Sequence, residues 1–187
     1  MQSMAENERN LNAPFNLKDH IREIQDWPCV GVSFKDITTV LENREAFRYT
    51  IDEMTKPFLD QKIDKVVVID ARGFLLGTAM AYRLNCGVSL VRKQGKLPSS
   101  TISESSIKEY GADILEMHDD TIKENENVVI VDDILATGGT AEAAAKLVER
   151  MGGNIVGMSF MVNLPFLGGS EKLSQYNPKW LVEYDSE

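Results

Sequence analysis

The chain has 187 residues, 43% hydrophobic and 26% charged, and this ordinary globular composition predicts one domain with a substantial core. Its formal net charge of -9 argues against a nucleic-acid-binding surface, because such surfaces need lysine and arginine to neutralise phosphates. The sequence has no run of roughly 20 apolar residues and its start lacks the pattern of a signal peptide, so we expect a cytoplasmic protein without a membrane partner.

Cysteine and histidine are scarce in this sequence, with two residues of each type. Two cysteines without a second pair at metal-ligand spacing indicate reduced thiols rather than a disulfide framework or a zinc site. We therefore expect no metal site built from protein side chains alone.

The first part of the chain is predicted to be disordered and then helical. We expect disorder in the polar stretch of residues 1–15. Apolar residues at helical spacing predict a short amphipathic helix over residues 17–27, which Pro28 would end. A second helix is predicted over residues 44–60.

The rest of the chain alternates strand patterns with helix patterns. Compact apolar runs predict strands at residues 65–70, 88–93, 128–133 and 154–164, and helices are predicted at residues 74–84 and 141–151. We expect the polar residues 99–109 to be mobile and residues 111–119 to form an antiparallel ribbon. This alternation predicts an α/β fold with a mainly parallel sheet flanked by helices, and a ligand at the carboxyl ends of the strands.

The most informative segment is VVIVDDILATGGT at residues 128–140, an apolar strand that passes through a glycine turn into a helix. Gly138 and Gly139 allow a tight turn that exposes backbone amides. Thr137 and Thr140 add hydroxyl donors. The segment therefore predicts a cradle for an anion.

Two features of the sequence near this cradle limit the kinds of ligand that it could bind. Asp132 and Asp133 would repel a phosphate but suit hydroxyl groups, so the segment fits a ribose whose 5-phosphate lies in the cradle. The cluster RKQGK at residues 92–96 places three cations in an otherwise acidic chain. It is either a solvated loop or part of a site for a small phosphorylated ligand.

Residues 128–140 resemble the signature of the type I phosphoribosyltransferases, which use phosphoribosyl pyrophosphate with magnesium. Four more motifs occur in the order found in the adenine-specific members of that family: VGVSFKDIT (30–38), IDARGFLLG (69–77), VRKQGKLP (91–98) and EYGAD (109–113). The resemblance runs from about Leu17 to Gly169. It implies the type I phosphoribosyltransferase fold in one domain over residues 1–187, with a small N-terminal hood formed by about residues 16–40.

The resemblance also implies an activity. Adenine and phosphoribosyl pyrophosphate would give AMP and pyrophosphate, as in purine salvage, with Mg²⁺ bound mainly through phosphoribosyl pyrophosphate. It implies a homodimer as well, in which we hypothesise that a loop of one subunit reaches the site of the other.

Roles carried over from the family cover both halves of the donor substrate. The 5-phosphate would be held by Ala136, Thr137, Gly138, Gly139 and Thr140, and the ribose hydroxyls by Asp132 and Asp133. Arg72, Arg92 and Lys96 would bind the pyrophosphate, where cations stabilise the charge that develops as it leaves. For Arg72 the alternative is a structural ion pair.

Glu109 and Tyr110 fall in the loop that closes over the site in this family. A closed loop would shield an oxocarbenium-like ribose from water. Glu109 would assist the base as its proton leaves, although it could instead be an exposed loop carboxylate.

Base preference is implied by two positions. Relatives that use hypoxanthine or guanine usually carry an aspartate where this chain has Ala136. In the adenine enzymes, backbone groups of the segment matching Ser33, Phe34 and Lys35 grip adenine, with Phe34 against the ring, although a lone phenylalanine could also belong to the core. The hood departs from the common form, since VSFKD replaces VVFRD or ILFRD, and lysine cannot reproduce a planar guanidinium fork.

Three alternatives stay open. The enzyme could act on another purine base, or the chain could be a non-catalytic sensor of phosphoribosyl pyrophosphate. It could also be an inactive subunit that partners an active one. A regulator would need a DNA-binding appendage or a basic face, and the acidic sequence suggests neither.

Overall fold

The computed structural model of the protein describes residues 15–108 and 111–186, without the side chains at 107–112. The predicted disorder of residues 1–15 therefore concerns a stretch that, apart from Phe15, lies outside the described residues. Glu109 and Tyr110 lie outside them as well.

Two groups of strands form the scaffold. A small antiparallel ribbon consists of β1 (Arg22–Ile24) and β2 (Phe34–Asp36). The large sheet consists of β3 (Lys65–Ile69), β4 (Gly87–Lys93), β5 (Thr101–Lys108), β6 (Gly111–His118), β7 (Asn127–Leu135), β8 (Asn154–Asn163) and β9 (Pro178–Glu183). Its spatial order is β5-β6-β4-β3-β7-β8-β9. The five strands from β4 to β9 in that order run parallel, and β6 and β5 are antiparallel additions, which confirms the predicted mainly parallel sheet.

Helices cover both faces of the sheet, as predicted. They are α1 (Thr38–Glu42), α2 (Arg44–Thr55), α3 (Arg72–Leu84), α4 (Gly139–Arg150) and the short α5 (Gly169–Lys172), with 3₁₀ turns at Leu17–His20, Lys56–Phe58, Pro165–Leu167 and Ser174–Tyr176. Val66 and Val68 face the core shared with α2 and α3, whereas Val67 and Ile69 face the core shared with α4. Because both faces of this central parallel strand are buried, its sequence is a continuous β-branched run.

Close packing positions α3 directly on the strands. A Cβ atom added at Gly77 would lie 2.2 Å from Cγ1 of Val68, so only glycine allows this approach. The N-terminus of α2 is capped by the Asn43 side chain, which accepts hydrogen bonds from the amides of Glu45 and Ala46, both at 3.0 Å. No helix in the described part of the chain is long and apolar enough to cross a membrane.

Two predictions of local structure are wrong. Residues 17–27 do not form one helix, because only Leu17–His20 is helical and Arg22–Ile24 pairs with Phe34–Asp36 as a strand. Pairing with a segment ten residues away therefore overrides the local helical period. The polar residues 99–109, predicted to be mobile, contain strand β5, which obtains its backbone hydrogen bonds from β6. The antiparallel ribbon predicted at residues 111–119 is confirmed as β6.

Candidate active site

Neighbouring strands β4, β3 and β7 end at the same edge of the sheet, and a cleft of about 540 Å³ opens there beneath the β1–β2 ribbon. The cleft is lined by nine residues singled out from the sequence: Ser33, Phe34, Lys35, Arg72, Asp132, Asp133, Ala136, Thr137 and Thr140. A smaller recess of about 70 Å³ continues from it and is lined by Gly138 and Gly139 as well. The structure thus brings together the cradle, the acidic pair and the hood segment.

The cradle is shaped by backbone geometry. Gly138 has a φ of +75°, a conformation that favours glycine, and α4 begins at the next residue. The N-terminus of α4, whose dipole favours an anion, therefore points toward the recess. Gly169 of α5 supports the loop from below, since a Cβ atom there would lie 2.1 Å from the carbonyl oxygen of Ala136. Sequence patterns do not reveal this contact, because Gly169 is distant from the motif along the chain.

The two acidic residues have different surroundings. The backbone amide of Asp133 donates a hydrogen bond to Oδ1 of Asp132 at 2.9 Å. Burial raises the pKa of the Asp132 carboxyl well above its usual value, and the negative charge of Asp133 raises this pKa further, while Arg72 opposes both effects. Asp133 instead has a direct partner, because its Oδ2 accepts a hydrogen bond from Nε of Arg72.

Arg72 connects the acidic pair to the hood. The carbon of its guanidinium lies 5.3 Å from the centre of the Phe34 ring, and that ring meets Trp27 edge-on at 4.4 Å between centroids. Arg72 therefore forms an ion pair, which was the alternative expected from the sequence, and its partner Asp133 lies within the cleft. Phe34 is half-buried and lines the cleft, so it is not a core residue.

The other two predicted cations lie beside the cleft rather than in its lining. Nε of Arg92 binds Oδ2 of Asp70 at 2.9 Å, and its Nη1 donates to the carbonyl oxygen of Lys96 at 3.2 Å. The Lys96 side chain is exposed. Asp70, the residue after β3, also lines the cleft, and the sequence could have identified it because it ends the strand predicted at residues 65–70.

A further ion pair in the cleft was missed from the sequence. Nζ of Lys93 lies 3.3 Å from Oδ2 of Asp113, and both residues line the cleft. No group of three or more side chains suited to hold a metal ion occurs within residues 15–108 and 111–186. Asp132 and Asp133 line the cleft with carboxylates, which are oxygen ligands of the kind that a hard cation prefers.

Comparison with known proteins assigns the chain to a class. Residues 37–180 match the family model of the phosphoribosyl transferase domain. The chain is 52% identical to the adenine phosphoribosyltransferase of Brachyspira hyodysenteriae over 90% of this chain and 99% of that protein, and 51% identical to that of Clostridium tetani over 91% and 99%.

Solved structures agree with the sequence relatives. The adenine phosphoribosyltransferase of Thermoanaerobacter pseudethanolicus superposes with a TM-score of 0.87 at 48% identity, covering 90% of this chain and 98% of that one. The enzyme of Saccharomyces cerevisiae, complexed with an imino-altritol bisphosphate and adenine, gives a TM-score of 0.84 at 37% identity over 89% and 96%. The chain belongs to the adenine phosphoribosyltransferase family.

Proposed function

We propose that this protein is a pentosyltransferase that moves the phosphoribosyl group of phosphoribosyl pyrophosphate to adenine, giving AMP and pyrophosphate in purine salvage. The observation that carries this proposal is the single cleft that unites the glycine cradle, the acidic pair and the hood segment. The proposal is also supported by relatives named adenine phosphoribosyltransferase, because the match extends over 99% of their length. We also propose that residues 1–187 form one domain.

The donor substrate fits the cleft in one orientation. Its 5-phosphate takes the recess of Ala136, Thr137, Gly138, Gly139 and Thr140 at the N-terminus of α4, where amides and hydroxyls donate. Its ribose hydroxyls then lie beside Asp132 and Asp133. The carboxylates would otherwise face the phosphate and repel it, so the reverse orientation is disfavoured.

Pyrophosphate lies toward the cationic side of the cleft in this proposal. Arg72 exchanges its contact with Asp133 for contacts with substrate, while Arg92 approaches from the end of β4 and Lys96 from the loop that follows it. Charge gathers on pyrophosphate as the glycosidic bond breaks, and cations placed there stabilise the transition state. When Arg72 moves from Asp133 to the substrate, Asp133 becomes available to the ribose hydroxyls.

Magnesium is proposed as the cofactor. The described residues offer carboxylate oxygens but no cluster that could enclose the ion, so phosphoribosyl pyrophosphate itself would provide most of its ligands. When bound, Mg²⁺ supplies positive charge to the leaving pyrophosphate. The remaining roles belong to Glu109, as acceptor of the proton that leaves adenine, and to Tyr110, as part of the closing loop.

The acceptor base is proposed to lie under the β1–β2 ribbon. Phe34 offers its ring there, and backbone groups of Ser33 to Lys35 offer donors and acceptors. Ala136 leaves no carboxylate for the N7 proton of a 6-oxopurine, which favours adenine. A second candidate, transfer to another purine base, is favoured by Lys35 in place of the arginine common in the family.

One assay tests the proposal and its alternatives. Pyrophosphate release is measured with phosphoribosyl pyrophosphate, Mg²⁺ and either adenine, hypoxanthine, guanine or orotate. Release with adenine alone is expected. Release with another purine would favour the second candidate, and no release with any base would favour a sensor or an inactive partner subunit.

A homodimer and a cytoplasmic location complete the proposal. The exposed apolar residues Leu75 and Tyr82 of α3 lie on the same side of the sheet as the exposed Val88, Leu90 and Ile114 of its neighbouring strands. We call these five residues the α3 face. Several exposed apolar residues on one side of the sheet suit contact with a second copy of the chain. Fractionation of cells tests the location.

A further inference from the structure

A buried lysine follows Phe34 in β2, and because successive side chains of a strand point to opposite faces, the Lys35 side chain lies on the other face of the ribbon from the Phe34 ring. Lys35 has only 3% of its side chain exposed and stands directly opposite Glu23 in the β1–β2 ribbon. Its Nζ donates to Oε2 of Glu23 at 2.8 Å and to Oγ of Ser33 at 3.0 Å. Ser33 also accepts a hydrogen bond from Gln25 at 3.1 Å. A buried ammonium without such partners would be costly, so these contacts fix the ribbon's conformation.

The third contact of Lys35 comes from the far end of the chain. Its Nζ lies 4.4 Å from the centre of the Tyr184 ring, a cation–π geometry that is strengthened when the ammonium is shielded from water. Tyr184 follows β9 and is held in place because its amide donates to the carbonyl oxygen of Asn163 at 3.1 Å. The hydroxyl of Tyr184 is buried and has no hydrogen-bond partner in the described part of the chain. The ring face, rather than the hydroxyl, therefore holds Lys35.

This arrangement links the hood to the large sheet beside the cleft. Asn163 ends β8, and Leu164, the next residue, lines the cleft. The Tyr184 ring thus joins the ribbon to one wall of the cleft. Movement of Lys35 would displace Ser33 and Phe34, whose backbone and ring face the proposed base.

We propose that Lys35 and Tyr184 are positioning residues for the acceptor base, which set the height of Ser33 and Phe34 above the cleft without touching the base through their own side chains. The inference rests on the proposed function, because it assumes that the base lies beneath this segment. It predicts that base affinity depends on an aromatic ring 149 residues further along the chain than Lys35.

A matched lysine offers the control. Nζ of Lys18 lies 4.8 Å from the centre of the same Tyr184 ring, but Lys18 is exposed and belongs to neither strand of the ribbon. Lys18→Met therefore removes one cation from the ring while leaving the ribbon intact. Lys35→Met removes both the cation and the hydrogen bonds to Glu23 and Ser33.

The test compares steady-state kinetics of purified full-length variants, with adenine and phosphoribosyl pyrophosphate varied separately. Lys35→Met and Tyr184→Leu are each expected to raise KM for adenine by about tenfold, with KM for phosphoribosyl pyrophosphate within about twofold of wild type. Lys18→Met is expected to leave both constants within about twofold. Tyr184→Phe keeps the ring and is expected to raise KM for adenine less than Tyr184→Leu does.

A double variant tests whether the two residues act together. Lys35→Met with Tyr184→Leu is expected to raise KM for adenine little more than either change alone, because the shared contact is already lost. Equal increases in both KM values, or a Lys18→Met effect as large as that of Lys35→Met, would overturn the inference. If Lys35→Met does not fold, Lys35→Arg and Tyr184→Phe supply the comparison, and unchanged adenine KM in both Tyr184 variants would also overturn it. Wild type that releases no pyrophosphate with adenine would refute the proposed function instead.

Discussion

Two adjacent carboxylates illustrate how strongly single residues differ within this site. Asp133 is paired with Arg72, whereas Asp132 accepts only the amide of its neighbour among the hydrogen bonds that the structure describes. The raised pKa of Asp132 means that its ionised form is disfavoured in the folded protein, chiefly by burial and then by Asp133. In the proposed role, Asp132 therefore carries an electrostatic cost in the ligand-free protein, which the substrate hydroxyls would offset.

Asp132→Asn is predicted to stabilise the ligand-free protein and to weaken binding of phosphoribosyl pyrophosphate. Because the folded-state pKa of Asp132 is raised, its contribution to stability is fully present below the ordinary pKa of 3.8 and is lost as pH rises through the folded-state value. The melting temperature of Asp132→Asn should exceed that of wild type at pH 7 to 8, and the difference should shrink toward pH 4. Asp133→Asn, which removes the partner of Arg72, should instead lower the melting temperature. A lower melting temperature for Asp132→Asn at neutral pH would contradict the prediction.

Lys96→Ala is predicted to lower kcat far more than it changes affinity for adenine. Its side chain is exposed on the loop after β4, and in the proposed reaction its charge is needed mainly as pyrophosphate leaves. The expected loss in kcat is about 10² or more, in line with removal of one group that stabilises developing charge. Lys123→Ala, on a different exposed turn, serves as control. Unchanged turnover would show that Lys96 does not contact the leaving group.

Much of the site was predictable at the residue level because consecutive residues form it. The cradle and the acidic pair lie in one run of 13 residues, so their proximity follows from the chain itself. Contacts such as Arg72 with Asp133, 61 positions apart, or Lys35 with Tyr184 depend on packing that no local pattern encodes. The variants described in this section and in the preceding one test the roles that the family resemblance implies.

At the scale of elements, α5 is a short helix with a supporting role for the cradle. Gly169→Ala is predicted to raise KM for phosphoribosyl pyrophosphate by about tenfold, because the added methyl group would displace the Ala136 carbonyl and the loop that follows it. KM for adenine should change less. Ser170→Ala, at the next position of the same helix, should leave both constants near wild type. A selective loss of adenine affinity in Gly169→Ala would contradict this account.

Element predictions succeeded where the pattern and the packing agreed. Strands β3 and β7 are buried on both faces, so their continuous apolar runs were unambiguous. The element predictions failed at Arg22–Ile24, which is exposed and forms a strand by pairing with Phe34–Asp36. They also failed at the polar strand β5. Exposed strands carry little hydrophobic signal, and their hydrogen-bond partners decide their conformation.

At the scale of the whole molecule, the α3 face predicts an oligomer. Tyr82 is 89% exposed and Leu75 52% exposed, although both are large and apolar. Tyr82→Asp is predicted to convert the dimer to a monomer in equilibrium sedimentation at micromolar concentration, because it places a charge in the apolar contact. Leu59→Asp changes an exposed apolar residue outside that face and should leave the dimer intact. A fully active wild-type monomer at that concentration would refute the homodimer.

The contact between Lys35 and Tyr184 has a consequence for how the protein is made. A chain emerges from the ribosome with its N-terminus first, and its early segments begin to fold before the last residues are available. Lys35 is then without its aromatic partner, since Tyr184 is translated 149 residues after it. The ribbon above the cleft therefore reaches its final position only after Tyr184 has left the ribosome, and a shorter nascent chain has an incomplete cleft.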